Sequence, residues 1–275
     1  MQKRTYKVLT IAGSDPSGGA GIQADLKTIT SLGGYAASAI TALTVQNTLG
    51  VKSVYPIPAT VVYEQIRAVM EDIEPDAIKI GMVKDAEIVR CIAQAIKQYL
   101  PQFVIFDTVM VSTSGHNLID NDVIGCIEKE LIPHVTLITP NLHEAQVLLG
   151  RKIESFCQME KAAKELAAKY KISVLIKGGH LDGDIMCDVL SLPHGEIRHF
   201  SHQKIQSHNL HGTGCTLSSA IATFVAKSLA EGETSVTAQM LESSIDNAKK
   251  YVTQAILEGS RREIGKGNGP VWHNI

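Results

Sequence analysis

A mostly parallel α/β sheet with helices on both faces is the fold class this sequence predicts. Three observations carry it. Short apolar runs alternate with amphipathic ones along the chain, the pattern of repeated strand–helix units. No linker, repeat or low-complexity stretch divides the 275 residues. The polar and glycine-rich segments follow the strands: 13–21, Gln46-Asn47, Gly81-Met82, Asp107 and its loop, 141–144, and Lys177-Gly178-Gly179. In folds of this class a ligand lies beyond the carboxyl ends of the strands, so these segments are expected to converge on one edge of the sheet.

Each element has its own signal. Residues 8–12 are a short apolar strand, and 19–32 have helical spacing through Ile22, Leu26 and Ile29. Residues 37–45 read as a strand. Residues 60–70 place Val62, Ile66, Val69 and Met70 on one side of a helix. A strand at 77–80 leads to a helix at 86–100 along Ile88, Cys91, Ile92, Ala95, Ile96 and Tyr99. A strand at 103–106, a helix at 122–131, a strand at 137–139 and a short helix at 143–149 follow. Residues 159–170 put Ala162, Ala163, Leu166, Ala167 and Tyr170 on one stripe. Residues 174–176 form a strand. Residues 186–192 and 196–200 flank Pro193-His194-Gly195 as a hairpin. Two long helices, roughly 213–230 and 235–257, complete the series.

Composition narrows the function classes. The chain is 44% hydrophobic and 20% charged, enough to bury one large core. Its net charge of −2, without a Lys or Arg run, gives no nucleic-acid or membrane surface, and 5% aromatic residues argue against base stacking. The basic N-terminus precedes an apolar run too short for a signal segment, and no run approaches the ~18 apolar residues of a membrane span. A cytoplasmic protein is expected. The five cysteines are far apart with no CxxC pair, which favours free thiols. His199/His202 and His208/His211 are each three apart but lie in no convincing helix, a weak basis for a metal site.

The richest segment is 211–220, His-Gly-Thr-Gly-Cys-Thr-Leu-Ser-Ser-Ala. Its glycines open an apolar helical run, where the first N–H groups lack intrahelical partners and the helix dipole is positive. Such a start is an anion cradle, and it holds Cys215 where a thiol is most easily ionised. An anion hole beside a candidate base points to phosphoryl transfer. The loop at 12–21 lacks the G-x-G-x-x-G spacing of a dinucleotide fingerprint and the Gly-Lys-Ser/Thr of a Walker loop.

That first loop, with Ile22-Gln23-Ala24-Asp25-Leu26-Lys27-Thr28, resembles the opening signature of the hydroxymethylpyrimidine/phosphomethylpyrimidine kinases of thiamine biosynthesis. The likeness continues through Ile40-Thr41-Ala42-Leu43, Gln46-Asn47-Thr48, Lys79-Ile80-Gly81-Met82 and Asp107-Thr108-Val109-Met110. It takes in Thr139-Pro140-Asn141-Leu142-His143-Glu144-Ala145, Lys177-Gly178-Gly179-His180, the loop at 211–217 and the tail Gly265-Lys266-Gly267-Asn268-Gly269-Pro270-Val271. Each motif is modestly specific; the ordered series, over nearly the whole chain, is highly so.

The resemblance implies a ribokinase-like three-layer α/β/α sandwich over residues 1–275, with ATP as donor, Mg²⁺, a homodimer and two successive phosphorylations. It matches Gly212, Thr213, Gly214 and Cys215 to the anion hole and catalytic position. Many sugar-phosphorylating relatives carry an Asp at the place of Cys215. The thiolate as base toward the substrate hydroxyl is the favoured role; assistance in binding is the other. Asn141 and Glu144 match an Asn-x-x-Glu near metal and phosphates, with Glu144 a hard oxygen ligand acting through water. Asp107, at a strand end, is a second metal or phosphate neighbour. Lys177 is placed to neutralise the transferring phosphoryl group, and Thr213 also serves phosphate binding. Gln46 aligns with the pyrimidine-reading position, where an amide matches an exocyclic amino group beside a ring nitrogen. Gly13, Asp25 and Met82 complete the substrate set. One departure is Thr113, where many relatives have a Lys before the Ser-Gly pair. The rival readings are a pyridoxal kinase, which shares the Gly-x-Gly-Cys loop in one branch, and a ligand-binding module without catalysis. From this length no fused thiamine-phosphate synthase is expected.

Overall fold

A computed structural model describes residues 4–110, 120–179 and 185–275. Thr113 and its neighbours, and His180, lie outside the described residues. Among the described residues nine strands form one sheet: β1 (Lys7–Ser14), β2 (Tyr35–Asn47), β3 (Gly50–Pro56), β4 (Ala77–Ile80), β5 (Val104–Phe106), β6 (Leu137–Ile138), β7 (Ser173–Ile176), β8 (Ile185–Ser191) and β9 (Ile197–Gln203). The order across the sheet is β3-β2-β1-β4-β5-β6-β7-β8-β9. The strands from β2 to β7 pair in parallel, while β3, β8 and β9 pair antiparallel at the two ends.

Side-chain alternation along the strands supplies two cores, as a sheet covered on both faces requires. Leu9, Ile11, Ile78, Ile80, Val104, Phe106, Val174 and Ile176 face one core. Helices α2 (Ala59–Asp72), α3 (Ala86–Tyr99), α4 (Asn121–Cys126), α5 (Leu142–Leu149) and α6 (Phe156–Tyr170) cover that face. Val8, Ala77, Ile105 and Leu175 point the other way, against α1 (Gly21–Ser31), α7 (Thr213–Ala230) and α8 (Ala238–Ser260). The architecture is therefore the three-layer one the sequence predicts. No described helix is long and apolar enough to cross a membrane.

Two elements depart from the sequence reading. Strand β3 was not expected; it returns from β2 through Thr48-Leu49, with Gly50 at φ 137°. Only glycine takes that conformation readily, yet the turn lacks the Asn-Gly or Asp-Gly signature of tight hairpins. The helix expected over 122–131 is α4 followed by a π-helical turn at Ile127–Leu131 and a 3₁₀ turn at Ile132–His134. Pro133 lies in that last turn and has no N–H to continue a helix.

Candidate active site

The segments that follow the parallel strands meet above one edge of the sheet, and glycines set how closely. Gly212 caps α7 in a left-handed conformation, φ 82°. A Cβ there would lie 1.7 Å from the Gly19 carbonyl oxygen, and one on Gly21 would lie 2.2 Å from that of Gly13. The loop after β1 and the start of α7 are thus in backbone contact. Thr213 N–H donates to Leu210 and Thr216 N–H to the Gly212 carbonyl. Gly214 and Cys215 are the second and third residues of the helix, whose N–H groups have no intrahelical acceptor and suit an anion.

Across from this helix end lies a charged pair. Asp107, at the end of β5, is 2% exposed and accepts from Lys177 Nζ at 3.0 Å and from Thr139 Oγ1 at 3.3 Å. A Cβ on Gly214 would sit 3.6 Å from both Asp107 Oδ2 and Lys177 Nζ. The helix start therefore faces the pair without a side chain between. Burial alone would raise the Asp107 carboxyl, but Lys177 and then Lys79 hold it below the usual carboxylate range. Burial would likewise lower Lys177, and Asp107 and Glu144 raise it instead.

Glu144 joins from the first turn of α5. The Asn141 side chain accepts from Glu144 N–H at 2.9 Å, and Asn141 N–H donates to Glu144 Oε2 at 2.8 Å. This capping box satisfies two helix-end donors at once. Thr108 Oγ1 donates to the same Oε2 at 3.1 Å. Burial raises the Glu144 carboxyl to about 7, and Asp107 pushes in the same direction. Glu144 is 3% exposed, a buried acid at a helix start. No three His, Cys, Asp or Glu converge as ligands among the described residues. Two neighbouring carboxylates with hard oxygens nevertheless fit Mg²⁺, which keeps several waters and takes substrate phosphates as further ligands. The histidine pairs form no metal group; His199 instead meets Glu160 at 2.8 Å.

The chemistry of Cys215 is corrected by the structure. Burial drives its thiol up to about 11, against the pull of Lys79. For this half-buried residue, desolvation outweighs the gain expected from a helix N-terminus. Asp25, expected at the substrate, does not face the cleft. It is 0% exposed, and its oxygens accept from Lys79 Nζ at 2.9 and 2.7 Å, Thr10 Oγ1 at 2.5 Å and Ser219 Oγ at 2.6 Å. Gly13 and Met82 do meet: a Cβ on Gly13 would lie 2.7 Å from Met82 Cε. Gln46, half-buried at the end of β2, reaches His211.

Three parts of this arrangement went unassigned in the sequence. Asp15 accepts from Ser17, Gly19 and Ala20 N–H and so folds the first loop. Lys79 lies wholly buried on the α1/α7 side of β4. Ser218 and Ser219 tie α7 to Asp107 and Asp25, at 3.4 and 2.6 Å. A lysine inside the strand Ala77–Ile80 was a readable signal, because a buried charge requires a partner.

Comparison with known proteins is consistent along the chain. A family model described as phosphomethylpyrimidine kinase matches residues 15–272. A hydroxymethylpyrimidine/phosphomethylpyrimidine kinase of Escherichia coli is 42% identical over 271 residues, covering 98% of each chain. A thiamine biosynthesis bifunctional protein of Geobacter sulfurreducens is 43% identical over 97% of this chain, which spans 52% of that longer protein. Among solved structures, a Bacillus subtilis pyridoxal kinase in an ADP complex has a TM-score of 0.86 at 33% identity, covering 98% of this chain and 97% of that one.

Proposed function

The chain belongs to the phosphomethylpyrimidine kinase family, and from that premise we propose a reaction in two steps, in thiamine biosynthesis. The first transfers the γ-phosphoryl group of ATP to the hydroxyl of 4-amino-5-hydroxymethyl-2-methylpyrimidine. The second phosphorylates the resulting monophosphate to the diphosphate. The observation that carries the reading is the meeting of a helix start, a thiol, the Lys177–Asp107 pair and Glu144 in one cleft.

In the first step the hydroxyl oxygen forms a bond to the γ-phosphorus while the bond to the β-bridging oxygen breaks, and ADP leaves. Cys215, in its thiolate form, receives the hydroxyl proton. The N–H groups of Gly214 and Cys215, with Thr213, face the transferring group, and Lys177 neutralises its charge. The NH₂ half of Asn141 remains for phosphate, its carbonyl being committed to the cap. When bound between Glu144 and Asp107, Mg²⁺ would screen the phosphate oxygens. Glu144→Gln keeps the cap, since an amide oxygen accepts as well, but removes the charge. We expect the Mg²⁺ concentration for half-maximal rate to rise about ten-fold with little change in Tm.

Gln46, Gly13 and Met82 form the substrate end. The pyridoxal reading has its own support in the similar Bacillus subtilis kinase. Parallel assays with hydroxymethylpyrimidine, its monophosphate and pyridoxal separate the two. Both pyrimidines are expected to turn over, with pyridoxal slower by about ten-fold or more. Faster pyridoxal turnover would reverse the assignment.

The chain acts as one kinase domain and pairs with a second copy through the β2–β3 edge. That edge exposes Leu43, Val45, Val51 and Tyr55, and neighbouring exposed apolar side chains mark an interaction surface. Tyr55→Asp is expected to shift the mass in sedimentation from dimer to monomer. The five free thiols accord with the reducing cytoplasm.

A further inference from the structure

Asp15, Gln46 and His211 come from three segments and meet in a chain of polar contacts. His211 Nε2 lies 2.8 Å from Asp15 Oδ2 and 3.3 Å from Gln46 Nε2. Gln46 Oε1 lies 3.3 Å from the Thr44 hydroxyl, which donates to the Ser14 carbonyl at 2.9 Å. One ring nitrogen facing both a carboxylate and an amide can donate or accept, but not both.

The senses of these bonds can be worked out. Asp15 is 2% exposed. Burial alone would raise its carboxyl, yet bonds from His211 and Ser17 bring it down to about 2, so it is ionised and only accepts. His211 Nε2 therefore carries a proton and donates it to Asp15. It cannot also accept from Gln46. Thr44 has a single hydroxyl proton, which its shorter contact commits to Ser14, so a donor from Gln46 suits its oxygen better than an acceptor. A half-turn of the amide about its terminal bond resolves both conflicts. Gln46 Oε1 then faces the His211 N–H and shares it with Asp15 as the longer, second acceptor, and Gln46 Nε2 donates to Thr44. The oxygen and nitrogen of an amide are distinguished by such networks.

We propose that His211, held by Asp15, is a specificity-determining residue that fixes the orientation of the Gln46 amide and so decides which heterocycle edge the site accepts. The proposal rests on Gln46 reading the pyrimidine. With the amide fixed, one Oε1 lone pair and one Nε2 N–H remain, on set sides. An exocyclic amino group donates to the first, and the adjacent ring nitrogen accepts from the second. A heterocycle with an exocyclic oxygen and a protonated ring nitrogen needs the reversed amide, which His211 and Thr44 oppose. Leaving such buried groups unmatched is what makes hydrogen-bonding sites selective.

The test compares kcat/KM for 4-amino-5-hydroxymethyl-2-methylpyrimidine and its 4-oxo counterpart. It uses the full-length protein and the variants His211→Leu, His211→Gln and Gln46→Leu. The parent is expected to prefer the amino compound by at least about a hundred-fold. His211→Leu should lower that preference about ten-fold or more, through KM more than through kcat. His211→Gln, whose amide N–H groups can donate to Asp15 and Gln46, should restore most of it. The His211 backbone pairs with Gly269 and Val271 through N–H and C=O, so the variants keep that anchorage. A parent-like preference in His211→Leu, with the preference lost in Gln46→Leu, overturns the proposal alone. Equal loss in His211→Gln and His211→Leu also overturns it, since the side-chain bulk and not its donor would matter. A preference kept in Gln46→Leu removes Gln46 as the reader, and the proposal with it.

Discussion

Cys215→Ala is expected to slow the first phosphorylation by ~10²–10⁴ while leaving the fold intact, the range for loss of a positioned general base. The second phosphorylation should suffer far less. Its nucleophile is a phosphate oxygen of a group whose second pKa is about 6, already without its proton at neutral pH. Only the alcohol has a proton to surrender. On the proposed reading both steps use the same site, so their ratio separates proton transfer from positioning. Equal losses in both would make the thiol a positioning group. A pH profile gives an independent reading. Burial raises the thiol to about 11, so its thiolate fraction grows about ten-fold per pH unit below that value. First-step kcat/KM should climb accordingly from pH 7 to 9, and the climb should vanish in Cys215→Ala. A flat profile in the parent would remove the base role.

Lys79→Met, with Asp25 left in place, should cost about 3–5 kcal/mol of stability, the penalty for stranding a buried charge. In a chain of this size that lowers Tm by roughly 10 °C. Lys79 and Asp25 are both 0% exposed and meet at 2.7 Å. Burial disfavours the charged lysine, but Asp25, with Cys215 and Asp107 beyond it, holds Lys79 above its ordinary range. The double change Asp25→Leu, Lys79→Met removes the charge problem and should recover most of the loss. Ser219 then loses an acceptor, though a helical serine can return its hydroxyl to the preceding turn. Thermal or urea unfolding checks both variants. Equal destabilisation of single and double would place the cost in packing and not in the unpaired carboxylate.

The parallel sheet and its helices were legible because apolar runs and amphipathic stripes are local patterns. The convergence of Asp107, Asn141, Glu144, Lys177 and the Gly212–Cys215 start was legible too, since strand ends in such sheets share one edge. What local patterns cannot carry is which way a side chain turns once it is there. Asp25 sits in a signature loop-and-helix segment, yet its helix face turns it inward to Thr10, Lys79 and Ser219. The acidity of Cys215 was misjudged for the same reason. The helix start is visible in sequence, but the distant segments that partly bury Cys215 are not. Strand β3 escaped because its turn uses Thr48-Leu49 before Gly50, a sequence without the usual hairpin signal.

The contact between Gly19 and Gly212, and the bonds His211–Asp15 and Ser219–Asp25, join residues 196 and 194 positions apart in the last two cases. During synthesis the early loop waits for a helix that leaves the ribosome late. Bringing such distant partners together carries the largest loop-closure entropy and slows the search for the native state. Activity should therefore emerge only when the chain is nearly complete. A nascent or truncated chain that ends before residue 213 would carry Asp107, Glu144 and Lys177 but no helix to face them.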